Sequence, residues 1–493
     1  MNSSKSILKA TSLIGGSQVL NIIINLAKSK IIAILLGPTG TGLISALVSS
    51  TTLVESIAGL GINNSAVREI AKNKTSKDPQ KLNDTILTLR RLMVFTGLLG
   101  MVLTFILAET LSIFTFNSDQ YTFEIRILSI AVFFNIVQTG HAASIQGMGK
   151  IKQLAVMSIT STALGALFSM PLIYIFSFDG IPLFLTAAAI GQYLVALYFA
   201  RKIDIQKVVI DLTRFYDHAK GMIRLGVAFM GATLINLLSI YLIRVCIIRF
   251  YSLEEAGLYQ AAFAISGLFI NIVLQAMAKD FYPRLAEVSG DSTKEIKLIN
   301  EQIGIGMMLA APGLLFTLAL APIAIRIFYS AEYLDAYTIL QWMIIGVFFR
   351  TVSWPMGYLF VARAKGKIFF LLQLASALIH IALVTLFLKL FGVQGTGIAF
   401  FGMYFIHIGY LYLLVNKENL FKWSPEVKKW IVALSLLFMT SLFILNFTSD
   451  WIGGIIISIF GLITTVFTLK RVMSIMKVET LKELIQYLKG KAS

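Results

Sequence analysis

Stretch after stretch of this sequence stays apolar for 18 residues or more, about what a helix needs to cross ~30 Å of hydrocarbon. "LLGMVLTFILAETLSIF" and "GLLFTLALAPIAI" are typical pieces of such runs. Of the 493 residues, 57% are hydrophobic and 14% are charged, against about a quarter charged in a soluble globular chain. A transmembrane β-barrel would show short alternating strands instead. The chain is therefore expected to be an all-α polytopic membrane protein. The single cysteine, Cys246, excludes an internal disulfide and a Cys-based zinc site. The net charge of +17 could suit a nucleic acid, but in a membrane protein Lys and Arg first mark cytoplasmic loops. No nucleic-acid partner is expected. Lys5 and Lys9 precede an apolar run, as in a signal peptide. That run is too long and too polar and lacks a small-residue cleavage site, so it reads as a retained first span.

Fourteen spans are expected, near 8–36, 40–64, 88–109, 122–145, 152–177, 180–200, 222–250, 256–282, 303–328, 335–361, 368–390, 394–415, 429–447 and 452–470. The loops between them alternate. Every even loop is basic, from Lys72, Lys74, Lys77 and Lys81 in the second to Lys417, Lys422, Lys428 and Lys429 in the twelfth. The odd loops, such as "GPTGT", "SIFTFNSDQY" and "YSLEE", contain no Lys or Arg. This alternation predicts that both termini and all even loops are cytoplasmic. The tail "VETLKELIQYLKGK" sets Leu481, Leu484, Ile485 and Leu488 on one helical face, as in an amphipathic helix on the inner leaflet.

The spans also repeat. Gly149-Lys150-Ile151 recurs as Gly366-Lys367-Ile368, 217 residues on, and Gly42-Leu43 as Gly257-Leu258, 215 on. "IGQYL" at Ile190 is echoed by "IGYLY" at Ile408. Six spans separate the copies, so both run the same way through the membrane, as in two-lobed transporters. The expected organisation is an N-lobe over 1–210, a C-lobe over 211–418, two further spans over 419–472 and a cytoplasmic tail over 473–493.

The charges inside the spans carry the functional signal. In the first span Gln18, Asn21, Asn25 and Lys28 are spaced 3, 4 and 3, within an arc of roughly 80° at ~100° per residue. Lys30 lies off this face, placed to snorkel. The repeat offset carries Asn21 onto Asn236, and Thr233, Asn236 and Arg244 share a second narrow arc in the seventh span. A cation at such depth costs about 2.5–3.5 kcal/mol by insertion scales and normally faces a wet cavity or a partner. Two symmetry-related cations on one cavity would focus positive potential and favour an anionic guest. The alternatives are that Lys28 snorkels or pairs with Glu55, the one acid deep in the first lobe. Arg350 is a second-lobe cavity candidate, followed by Pro355, which is expected to kink or break its helix. Asp280 could pair locally with Arg284. His380 and His407 read as packed core rather than proton carriers. The sequence lacks a G-x-x-x-x-G-K-[ST] phosphate loop, H-E-x-x-H and C-x-x-C. No catalytic residue, metal or cofactor is expected, and transport fits better than enzymatic catalysis.

"ILLGPTGTGLISALVSS", "GLGINNSAVREIAK", "AASIQGMGKIKQLAVMS" and "AMAKDFYPRLAEVSGD" together resemble the polysaccharide transporters of the multidrug/oligosaccharidyl-lipid/polysaccharide (MOP) superfamily, its O-antigen translocase branch above all. The resemblance implies two pseudo-symmetric six-helix lobes plus two C-terminal helices, a fold shared with multidrug (MATE) exporters, in a bacterial inner membrane. It implies a flippase moving an undecaprenyl-pyrophosphate-linked oligosaccharide from the inner to the outer leaflet by alternating access. Spans 1, 2, 7 and 8 would line the cavity, with Lys28, Arg244 and Arg350 holding the pyrophosphate and Gln18, Asn21, Asn25, Thr233 and Asn236 forming its polar stripe. Glu55 and Asp280 would be candidates for ion coupling. The implied partners are the lipid-linked oligosaccharide, membrane lipids, and a polysaccharide polymerase and chain-length regulator of the same pathway. A flippase for lipid-linked peptidoglycan precursors and a drug exporter of the same superfamily are the rival readings. A membrane-embedded polymerase is the enzyme rival, and it would need a large outer loop.

Overall fold

The computed structural model describes residues 2–75, 79–203, 211–419 and 421–476. Among them there are helices and turns and no strand. The helices are α1 (Asn2–Gly59), α2 (Ile62–Lys74), α3 (Pro79–Ile106), α4 (Ala108–Phe116), α5 (Thr122–Gly147), α6 (Ile151–Phe176), α7 (Ile181–Arg201) and α8 (Leu212–Phe250). They continue with α9 (Leu253–Glu287), α10 (Ser292–Ala319), α11 (Ala321–Phe328), α12 (Ala336–Ala362), α13 (Gly366–Phe391), α14 (Gln394–Asn419), α15 (Pro425–Phe447) and α16 (Asp450–Met476).

Among the described residues, twelve helical stretches are long and apolar enough to cross a membrane, and two of these are double. Gly15–Gly59 has 45 residues, about twice the length one crossing requires at ~1.5 Å per residue. It breaks at Gly37, whose φ of 61° and ψ of −169° belong to a region essentially reserved for glycine. Ile151–Arg201 is interrupted by a short 3₁₀ turn at Ser177–Gly180. Counting each half gives about fourteen crossings. Large apolar side chains such as Ile106, Phe123, Tyr174 and Phe447 are exposed, as suits contact with lipid tails. The chain is a multi-pass membrane protein.

Several boundaries differ from the sequence reading. The second span stops at Gly59, because Leu60 (φ 49°) and Gly61 (φ 62°) turn left-handed. The basic loop that follows is largely the amphipathic α2, which buries Ile62, Ala66 and Ile70 and carries Lys72 and Lys74 in its last turn. Lys74 Nζ donates to the Met148 carbonyl at 2.7 Å, tying that end to the α5–α6 turn. The odd-loop segment "SIFTFNSDQY" is helical as far as Phe116, where left-handed Asn117 ends α4. α12 runs unbroken through Pro355. The tail with Leu481, Leu484, Ile485 and Leu488 lies outside the described residues.

The duplication is written into the backbone. Lys150 N donates to Ile145 O at 3.2 Å, and 215 residues on (150 to 365, 145 to 360) Lys365 N donates to Phe360 O at 2.8 Å. Left-handed Gly149 is matched by left-handed Ala364. A Cβ on Gly180 would lie 2.3 Å from the Leu172 carbonyl oxygen, and one on Gly395 would lie 2.1 Å from that of Phe387. The Gly-Lys-Ile recurrence at 217 is therefore two residues out of register with the structural match. The tripeptide opens α6 with its isoleucine but α13 with its glycine.

Contacts divide the chain into two compact units, Met1–Ala256 and Gly257–Ser493. Unit 1 therefore includes α8. Two apolar clusters fill it: one around Ile62, Leu89, Met93, Ile136 and Met222, the other around Leu36, Leu47, Leu128, Ile173 and Phe184. In unit 2, α10 packs against α12, α15 and α16. Asn300 of α10 donates to the Lys422 carbonyl at 3.1 Å and accepts from Ser424 N at 2.8 Å, fixing the segment that leads into α15.

Candidate functional site

The second half of α1 places Thr52, Glu55, Ser56 and Gly59 on one face, at i, i+3, i+4 and i+7. That face opens onto a cleft within unit 1 of about 210 Å³. Asn63 and Asn64 at the start of α2, Asn135 and Thr139 of α5, and Thr233 of α8 add polar groups to its wall. Met93, Ile136, Met230 and Leu237 supply an apolar side. Glu55 Oε1 accepts a hydrogen bond from Asn135 Nδ2 at 2.7 Å. No ion pair to Glu55 occurs among the described residues.

α8 is fastened to the rest of unit 1 at both ends. Near its start, Gly226 meets the α1–α2 turn backbone to backbone. A Cβ on Gly226 would lie 2.4 Å from the Leu60 carbonyl oxygen, and one on Gly61 would lie 2.4 Å from that of Gly226. Ser65 Oγ of α2 donates to the Met222 carbonyl at 2.7 Å. Near its far end Tyr241 and Thr115 share a buried hydroxyl–hydroxyl bond of 2.7 Å. Arg249 Nη2 donates to the Ile113 carbonyl in the last turn of α4 at 3.0 Å, where the macrodipole favours a cation.

The sequence-predicted residues fall into several environments. Glu55 and Thr233 come together in the cleft. Lys28 is half-buried in unit 1 with its Nζ 4.7 Å from the centre of the Phe184 ring, a cation–π arrangement. Asn21 donates to Ser158 Oγ of α6 at 2.7 Å. Gln18, Asn25 and Asn236 are exposed, and Arg244 is half-buried. In unit 2 Arg350 is half-buried within α12. Asp280 is exposed and forms a 3.0 Å ion pair with Arg284 one turn on. His380 packs edge-on to Phe400 at 5.8 Å, and His407 stacks on Tyr410 at 5.1 Å.

Sequence reasoning singled out Glu55 but missed its neighbours. The signal was available: hydroxyls at 52 and 56 flank Glu55 on the helical face, and Asn135 and Thr139 stand one turn apart in an apolar span.

Residues 31–338 match the family described as polysaccharide biosynthesis protein. The chain belongs to that family. Its relatives include a candidate O-antigen transporter of Shigella flexneri, 21% identical over 74% of this chain and 87% of the relative. They also include a lipid III flippase of Escherichia coli strain K12, 22% identical over 82% of this chain and 96% of the relative. Among solved structures, the lipid II flippase MurJ in an inward closed conformation superposes with a TM-score of 0.69 at 16% identity, over 94% of this chain and 99% of that one. An inward-facing MATE multidrug transporter of the MOP superfamily superposes with a TM-score of 0.68 at 14% identity, over 80% and 95%. This member of the polysaccharide biosynthesis family thus has the MOP fold, and the fold by itself does not choose between lipid-linked sugars and drugs.

Proposed function

We propose that the chain is a flippase for a lipid-linked oligosaccharide, an O-antigen repeat unit on a polyprenyl pyrophosphate, carried from the cytoplasmic to the outer leaflet of a bacterial inner membrane. The observation that carries the reading is the retention of separate polar and charged groups within one membrane-spanning bundle: Glu55 in the cleft and Lys28 over Phe184. Such groups are expensive in hydrocarbon and mark a passage for polar cargo. The family and the names of its relatives favour a lipid-linked saccharide over a drug. Lys28, Arg244 and Arg350 are the proposed cations for the pyrophosphate. Both termini lie in the cytoplasm by the loop-charge pattern, and alternating access moves the headgroup. A ligand shifts such an equilibrium only as far as it prefers one state. The chain acts as a transporter rather than an enzyme.

The test is translocation of a fluorescent polyprenyl-pyrophosphate oligosaccharide in proteoliposomes, read by bleaching with a membrane-impermeant reductant. Lys28→Ala and Arg244→Ala are each expected to slow translocation about tenfold, the loss of one charge-assisted contact, with insertion and abundance unchanged. Wild-type vesicles no faster than empty ones, or a double mutant at full rate, would defeat the reading.

A further inference from the structure

Among the described residues, the lining of the cleft at Glu55 contains no Lys, Arg or His, although the sequence carries 42 Lys and Arg. It is not built to receive a pyrophosphate. Its polar groups are a carboxylate, three carboxamides and hydroxyls, set opposite an apolar wall of Met93, Ile136, Met230 and Leu237. Hydroxyls of a sugar ring match the first set and its C–H face matches the second. The volume of about 210 Å³ is below the ~300–1,000 Å³ of pockets for drug-sized ligands, which suits a single ring.

Resting on the flippase reading above, we propose that this cleft is a saccharide subsite that accepts an uncharged hexose or acetamidohexose ring and excludes rings bearing a carboxylate or phosphate. Asn135 already donates to Glu55 Oε1, which orients the carboxylate and leaves its second oxygen for a ring hydroxyl. A carboxylate accepting from hydroxyls makes a stronger bond than a neutral acceptor. An anionic ring would set a second acidic group against Glu55 where no described lining residue is a cation, and two acids sharing a site out of water cannot both ionise without cost. The rival occupant is an alkali cation, which calls for a close cage of oxygens. Here the Asn135 amide turns its N–H, not its oxygen, toward Glu55, the reverse of what a cation shared with that carboxylate requires.

The experiment uses the full chain in nanodiscs, with Cys246→Ala and Thr233→Cys placing one thiol in the cleft wall. Labelling by a polar maleimide is followed with methyl N-acetylglucosaminide, methyl glucoside or glucuronate present. The neutral glycosides should slow labelling and glucuronate should not. Glu55→Gln should raise the concentration of neutral glycoside needed about tenfold, the loss of one charge-assisted bond, and admit glucuronate. Glucuronate protecting as well as the neutral sugars while Glu55 is intact would overturn the proposal. So would protection curves unmoved by Glu55→Gln, or labelling that answers to sodium or pH and to no sugar. If the obvious reporter misfolds, Met230→Cys on the apolar wall gives the same readout. Parallel translocation assays separate the two claims: flipping without protection removes the subsite alone, whereas protection without flipping removes the flippase reading and leaves a saccharide-binding cleft.

Discussion

Replacing Arg363 should destabilise unit 2 more than replacing its partner. Glu295 is fully buried. It accepts from Arg363 Nε at 2.9 Å, from Arg363 Nη2 at 2.5 Å and from Gly290 N at 3.0 Å. Glu418 accepts from Lys365 and lies 3.8 Å from Arg363 Nη1. Arg363→Ala strips both guanidinium bonds from a carboxylate that water cannot reach. Removing one partner of a buried pair costs about 3–5 kcal/mol. Glu295→Gln keeps an acceptor for Gly290 N and leaves Arg363, 14% exposed, beside Glu418. Its cost should be nearer 1–2 kcal/mol, in the range for a weakened hydrogen bond to a charged group. Arg363→Lys should fall between, since an ammonium cannot reproduce the two-pronged contact. The Glu295→Met, Arg363→Met double variant should be more stable than the sum of its singles implies, because the buried charge is gone. Thermal unfolding of the purified chain in detergent ranks the variants, and a double-mutant cycle gives the coupling, expected at about 2–3 kcal/mol. Additive losses, or Arg363→Ala within about 1 kcal/mol of wild type, would refute the reasoning, since a change that small approaches what an ordinary surface substitution gives.

Gly226→Ala puts a methyl 2.4 Å from the Leu60 carbonyl, so it should cost about 1–3 kcal/mol as overpacking and slow translocation in the vesicle assay; unchanged unfolding would show that the α1–α2 turn can move aside. Asp291 caps α10, and the Lys294 side chain beside it, helped by the Lys294 backbone N–H, holds its carboxyl below the usual range. A depressed acid contributes stability above its unfolded pKa and loses it as pH falls through the folded one, so Asp291→Asn should lower the unfolding temperature at pH 7 and match wild type well below pH ~4; an equal deficit at both pH values would remove the carboxylate as the cause.

Much of the fold was legible because its largest costs are local. Uninterrupted apolar length dictates helices in hydrocarbon, and the Lys and Arg pattern separates one crossing from the next. What escaped was where backbone leaves the helix within apolar sequence. Gly37 was expected to lie between spans and does, but Gly61 was read as part of a span, because nothing in hydropathy reveals that it must turn under Gly226. The repeat was visible in sequence at its structural offset of 215, and only the Gly-Lys-Ile match at 217 ran two residues out of register. The object that recurs is a left-handed turn, and Gly149 supplies it in one copy while Ala364 supplies it in the other.

The site was half legible for a related reason. Charge in a span is conspicuous, so Lys28 and Glu55 stood out, and their opposite signs invited a pair. The structure gives each a neutral partner instead: an aromatic face for the lysine and a carboxamide for the glutamate. A direct ion pair would have cancelled both fields and left the bundle with no reason to bear the cost of burial. Neutral partners orient each group without setting an opposite charge against it. On the flippase reading, that separation lets one interior treat an anionic pyrophosphate and an uncharged ring by different chemistry. Polar groups of modest size, such as Asn135, Thr139 and Thr52, decide which ring fits, and hydropathy gives them almost no weight. Sorting of charge, rather than the number of charges, is therefore the property from which substrate preference in this bundle should be read.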